Sequence, residues 1–227
     1  MKKIWIVGAM VVGAFAAATV MVVGHNTLSG TASGASPSGL PWQIETLPNG
    51  QSRVMGLTLG PGGSTLAEVQ RIWGPNVELA IIAAPGEAGA IEAFIDPAQA
   101  GFINGKLVLT LAAPAEAVAG MRERALKSEF MESTTRKYTL TPDDHHAASA
   151  LAVSAIAFIP QAKLDAQMVI DRFGPPQERH KVGEMSEHFL YPTKGLDLTL
   201  NTKGKDVLQY VAPAEFHKLT APLKSPK

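Results

Sequence analysis

The sequence predicts an α+β fold: two tandem copies of a short helix packed on an antiparallel β-sheet, joined by a longer helix, behind one N-terminal transmembrane helix. Three observations carry this prediction. The first is internal repetition, which decides the fold before any local reading. Gly105-Lys106-Leu107-Val108-Leu109, followed after three residues by Ala113-Pro114-Ala115-Glu116, returns as Gly204-Lys205-Asp206-Val207-Leu208 and Ala212-Pro213-Ala214-Glu215. Val69 with Trp73-Gly74-Pro75 returns as Val169 with Phe173-Gly174-Pro175. The second is a helix signature at the start of each copy. The third is a series of strand-like runs whose connections are too short for parallel crossovers.

The elements follow in chain order. Ile4–Val23 is an unbroken run of apolar and small residues plus one Thr, preceded by Lys2-Lys3. Twenty such residues span about 30 Å as a helix, the thickness of a bilayer core. No Lys or Arg follows until Arg53, so the positive-inside rule sends the rest of the chain across the membrane. The run is longer than the core of a typical cleaved signal, which favours an uncleaved anchor over 1–24; cleavage and release to the periplasm is the alternative. Residues 25–40, rich in Gly, Ser, Thr and Ala, read as a flexible tether.

The first repeat spans 41–116. Gln43–Leu47 and Arg53–Leu59 read as strands around a Pro48-Asn49-Gly50 turn. Thr65 with Glu68 makes a capping box, and Leu66, Val69, Ile72 and Trp73 then share one helical face. Gly74 ends the helix and Pro75 prevents its resumption. Val77–Ala83, Ala90–Ile95 and Leu107–Leu111 read as strands. Ala115–Ser133 reads as a helix, opened by Pro114 and turning Val118, Met121, Ala125 and Phe130 inward; residues 117–135 form the connection between copies. The second repeat, 136–217, starts at Tyr138–Leu140. It carries a helix capped by Asp165 and strands at Glu178–Val182, His188–Tyr191, Leu196–Asn201 and Val207–Val211. Residues 218–227 form a loose tail.

A short capped helix, Gly-Pro, and antiparallel strands ending at a Gly-Lys turn resemble the small α+β module of the BamE/SmpA/OmlA envelope proteins. The tandem arrangement resembles the β-lactamase inhibitor proteins. The likeness covers about residues 57–116 and 157–216. Its carriers are Val69, Trp73, Gly74, Pro75, Gly105 and Lys106, and Val169, Phe173, Gly174, Pro175, Gly204 and Lys205. Those assembly-factor lipoproteins have a lipobox cysteine, and this chain has no cysteine. Their module places two helices before the strands, where this chain shows one. The resemblance implies an architecture and an envelope compartment, and it transfers no binding site.

Composition excludes several functions. Twenty Lys and Arg balance twenty Asp and Glu, which removes the electrostatic footprint of a nucleic-acid binder. The absence of cysteine excludes disulfides, thiolate chemistry and iron–sulfur clusters. Asp143-Asp144-His145-His146 is the only dense polar cluster, but adjacent histidines diverge, and a turn capped by the aspartates is the simpler reading. His180 and His188 flank a hairpin and can face each other, without a third ligand. Gly60-Pro61-Gly62-Gly63-Ser64 lacks the lysine of a phosphate-binding loop and reads as a turn. Glu184 and Glu187 flank no recognisable cleft. His25 and His217 read as solvated.

The expected site residues are therefore none: no catalytic residue, no cofactor site and no metal ligand. The expected function is a non-enzymatic, membrane-anchored interaction or scaffold module of the bacterial envelope, single-pass in the inner membrane and facing the periplasm. It binds a protein partner through exposed sheet faces or edges. The alternative is an inhibitor or ligand-binding module acting on a secreted enzyme or cell-wall component.

Overall fold

The computed structural model describes residues 39–131 and 134–224. The expected membrane helix and the tether up to residue 38 lie outside them. No described helix is long and apolar enough to cross a membrane.

The described chain is mostly β. Strands β1 (Glu45–Thr46), β2 (Ser52–Val54) and β3 (Leu57–Leu59) make a small three-stranded sheet. Helix α1 (Leu66–Trp73) follows, then β4 (Glu78–Ala83), β5 (Ala90–Ala100), β6 (Ile103–Leu111) and α2 (Ala115–Glu123). Next come β7 (Lys127–Phe130), β8 (Arg136–Thr139), α3 (Pro142–Ala148), β9 (Val153–Pro160) and α4 (Ala166–Phe173). The chain ends with β10 (Glu178–Val182), β11 (Ser186–Tyr191), β12 (Leu196–Asn201), β13 (Val207–Val211) and the one-turn helix α5 (His217–Thr220). Ten strands form one sheet in the order β10-β11-β12-β13-β9-β6-β5-β4-β8-β7.

This corrects the expected α+β architecture of two helix-on-sheet copies joined by a long helix. The repeated halves do not build separate sheets; they fuse into one. The join is β9, antiparallel to β13 on one side and to β6 on the other. Val153-Ser154-Ala155-Ile156-Ala157-Phe158-Ile159-Pro160 is nearly all apolar, and all of it but Ser154 is buried. A run with no polar face belongs at the centre of a sheet covered on both sides. Gly105 lets β6 approach: a Cβ there would lie 2.5 Å from the Ile159 carbonyl oxygen.

The connecting helix over 117–135 is likewise corrected. Helix α2 stops at Glu123, and the chain turns into the β7–β8 hairpin, which pairs with β4 at the edge of the first half. A tertiary contact ends the helix. Arg124, at its C-terminal boundary, is drawn into a two-pronged ion pair with Asp144 of α3, at 2.6–3.1 Å.

The helix signatures of both copies are present. The Thr65 amide donates to the Glu68 carboxylate (2.8 Å), and the Met168 amide donates to the Asp165 carboxylate (2.8 Å). Gly74 and Gly174 end the two helices at φ 90° and 82°, a region that favours glycine. The halves also interlock at α1. Its Leu66 and Ala67 amides, unsatisfied within the helix, donate to the carbonyls of Leu151 and Ser149 (both 3.0 Å).

Register divides the large sheet into two faces. On one face Leu79, Ile81, Ile91, Leu107, Leu109, Ile156, Phe158, Leu208 and Tyr210 enter a single core. Leu66 and Val69 of α1, Val118 and Met121 of α2, Ala148 of α3, and Val169 and Phe173 of α4 join the same core. On the opposite face the C-terminal segment packs down among the described residues: Phe216 and Leu219 meet Ala155, Leu190 and Val211. No other described helix buries residues there.

Candidate functional site

An apolar cavity of about 550 Å³ lies where α4 meets the ends of β6, β9 and β13. Phe158, Val169, Phe173 and Leu208 form its floor, and all four also belong to the core. Its outer wall is the chain entering the fold. Trp42 stands edge-on to both Phe102 and Phe173, with ring centroids 6.1 and 6.5 Å apart. A buried bond pins this wall, because the Tyr210 hydroxyl donates to the Pro41 carbonyl oxygen (2.9 Å). Complete burial pushes the Tyr210 phenol well above its ordinary pKa, so it stays protonated and keeps donating. Phe102 is 69% exposed and Met168 41%, which leaves an apolar lip at the mouth.

Two cations line the cavity and no acid does. The Lys163 ammonium is already held by the Asp206 carboxylate (3.1 Å) and by the carbonyls of Asn201 and Gly204. Arg172 lies over the Trp42 ring at 4.8 Å. It has no hydrogen bond or ion pair among the described residues.

Sequence reasoning passed over Trp42, Phe102, Met168 and Arg172. A signal was present in the repeat. Helix α4 carries Met168 and Arg172 where α1 carries Glu68 and Ile72, and Ile72 packs on the core. A cation at a position that the sister copy turns inward is a departure from the module's own pattern.

The polar groups singled out from the sequence are dispersed. Asp143 and His146 are exposed, whereas Asp144 is buried against Arg124 and Thr141. The Arg124 hydrogen bond is the main cause holding the Asp144 carboxyl below its ordinary pKa. Thr141, not an aspartate, caps α3 by accepting from the Asp144 amide (3.2 Å). The Gly60–Ser64 turn bonds to its own surroundings: the Gly63 amide donates to Gly60 and the Ser64 amide to Thr58. Glu187 takes a two-pronged bond from Arg179 (3.0 and 3.1 Å), and Glu184 is exposed.

His180 and His188 are direct cross-strand partners. His188 is buried, its Nδ1 2.9 Å from the Asp197 carboxylate and 3.1 Å from the Thr199 hydroxyl. A carboxylate on one ring nitrogen fixes the tautomer and the ring, as in many metal and acid–base sites. Here no serine hydroxyl joins the pair, and the described residues contain no group of three metal-ligating side chains. The pair satisfies a buried carboxylate within the sheet.

No family model matches the chain, and no curated protein or solved structure matches it.

Proposed function

We propose that this chain is a non-enzymatic binding module of the bacterial envelope, tethered to the inner membrane through Ile4–Val23 with its folded part in the periplasm. A protein partner docks on the face of the ten-stranded sheet opposite helices α1–α4, through its partly exposed side chains. The observation that carries this reading is that face itself. Direct cross-strand partners place Phe94, Val108, Ala157 and Gln209 in one row along it, Phe94 partly exposed and the other three buried. Ion pairs flank the row: Lys106 with Asp96 (2.8 Å), and Lys137 with Glu78. A partly exposed aromatic flanked by charges of both signs has the mixed apolar and polar make-up of a protein interface. Phe94 is the half-buried aromatic within it, the residue type on which binding energy concentrates.

The test uses the full chain captured from gently solubilised membranes. A partner retained by the wild type and by Met185→Arg, on a remote turn, but lost with Phe94→Arg, is the expected result. Equal retention by all three refutes this face as the docking site. An alkaline phosphatase fusion after residue 40 tests the tether separately: activity is expected, and a silent periplasmic reporter with an active cytoplasmic one refutes the topology.

The cavity beside Trp42 favours a second reading, a ligand-binding module, because it is an apolar volume, open at its mouth, that no described side chain fills.

A further inference from the structure

We propose that the cavity under α4 binds one long-chain fatty acid, its acyl chain among Trp42, Phe158, Met168 and Phe173 and its carboxylate on Arg172. The chemistry of the walls selects this class. A peptide entering the cavity would bring amides and carbonyls that the apolar floor cannot satisfy. An acyl chain brings none. The volume selects a single chain: with a methylene taken as about the size of a water, roughly 30 Å³, the 550 Å³ holds one chain of 16–18 carbons and its head. It does not hold the two chains of a diacyl lipid.

Charge selects the head group. Arg172 is the lining cation without an acidic partner among the described residues, and no acid lines the cavity. Its planar guanidinium matches a carboxylate through two parallel hydrogen bonds. Stacking on Trp42 holds the fork in place at the mouth. Lys163 is committed to Asp206 and adds positive potential without offering a free ammonium.

The position of the chain outside the structure supplies a source. Residues 1–38 join the fold at Gly39, two residues before Pro41 in the cavity wall. On the tether reading, a Gly- and Ser-rich linker of the length of residues 24–38 has a reach on the order of 20 Å. The mouth is therefore held close to the bilayer surface, where free fatty acids partition. This proximity rests on the tether proposed above; the chemistry of the cavity does not.

The experiment uses the full chain in phosphatidylcholine nanodiscs with a photoactivatable palmitate, the labelled peptides being mapped by mass spectrometry. Labelling of the segments around Trp42, Phe102 and Met168 is expected. Excess palmitate should suppress it at least tenfold, and hexadecanol far less. Arg172→Gln should erase the preference of palmitate over hexadecanol while keeping the wild-type melting temperature. Val169→Trp, which fills the floor, should abolish labelling. If that variant fails to fold, Met168→Trp at the exposed lip tests the same point. Labelling confined to residues outside the cavity, or equal competition by the alcohol, overturns the proposal. The tether is read independently in the same preparation: a chain that does not co-elute with the nanodisc refutes the anchor, and the labelling is then repeated with palmitate added in solution.

Discussion

Replacing Glu92 with Gln should stabilise the folded chain at neutral and alkaline pH and leave it unchanged at acid pH. Glu92 lies on the face of β5 opposite the main core, its direct cross-strand partners being Ala80 of β4 and Thr110 of β6. Neither partner is charged, and the carboxylate has no hydrogen bond or ion pair among the described residues. Desolvation alone pushes its pKa from 4.5 up to about 7. The sign follows from proton binding. Between pH 4.5 and 7 the folded state holds the proton more tightly than the unfolded state. Stability from this group is therefore fully present below pH 4.5, falls as the pH rises, and is lost above about 7.

A shift of this size corresponds to about 3 kcal/mol at most, and the partial solvent contact of the side chain lowers the figure to about 1–3 kcal/mol. For a chain of this length that is a melting temperature raised by roughly 3–10 °C at pH 8. Glutamine keeps the shape and removes the charge, so the gain should vanish at pH 4, where the glutamate is itself neutral. The assay is thermal unfolding of the full chain in mild detergent, wild type against Glu92→Gln, from pH 4 to pH 8.5. An increment equal at both ends of the range would show that the gain does not come from the charge, and a variant less stable at pH 8 would show that Glu92 has a stabilising partner; either refutes the reasoning.

Two further outcomes follow from the join and from the α2–α3 contact. Gly105→Ala should cost about 1–3 kcal/mol in urea unfolding, because the new Cβ meets the Ile159 carbonyl oxygen at 2.5 Å and the Phe158 ring at 2.8 Å; wild-type stability would mean that β6 and β9 are not held so closely. Asp144→Asn should destabilise the chain at pH 7. The depressed pKa means that the native carboxylate contributes above its unfolded pKa and loses that contribution as the pH falls through its folded one, so wild type and variant should converge in acid. A gap between them that persists below pH 2 would place the effect elsewhere.

What could be read from the sequence was local. Thr65, Asp165, Gly74 and Gly174 mark both short helices because a cap and a left-handed stop act within four residues. Leu196, Leu198 and Leu200 alternate with Asp197 and Thr199, which is enough to place β12. Pairing partners leave no such local trace. The apolar run of β9 looks the same whether it closes one small sheet or joins two, and hydrogen bonds to β6 and β13 decide which. The long connecting helix failed for a related reason. Val118, Met121, Ala125 and Phe130 keep a helical spacing, but Asp144, twenty residues beyond Arg124, draws Arg124 out of the continuing helix. Phe130 ends up exposed at the sheet edge, with the Arg136 guanidinium over its ring at 4.1 Å.

The cavity was hidden by the same distance effect, since Trp42, Phe102, Phe158 and Arg172 meet only through the fold. The duplication nevertheless supplies an internal control that a single module lacks. Both copies obey the same capping, the same Gly-Pro stop and the same valine at the helix centre. They diverge in the first turn and along the outer flank of the helix. Leu66, fully buried, becomes Ala166, Glu68 becomes Met168, and Ile72 becomes Arg172. Two changes work against a filled core, a smaller side chain and a guanidinium where an isoleucine packs, and the third replaces a capping carboxylate with a flexible thioether at the lip. A chain under selection for stability alone has no reason to hollow one copy while keeping the other tight. Local rules that agree everywhere except at one surface point to that surface as the place where the fold serves something other than itself.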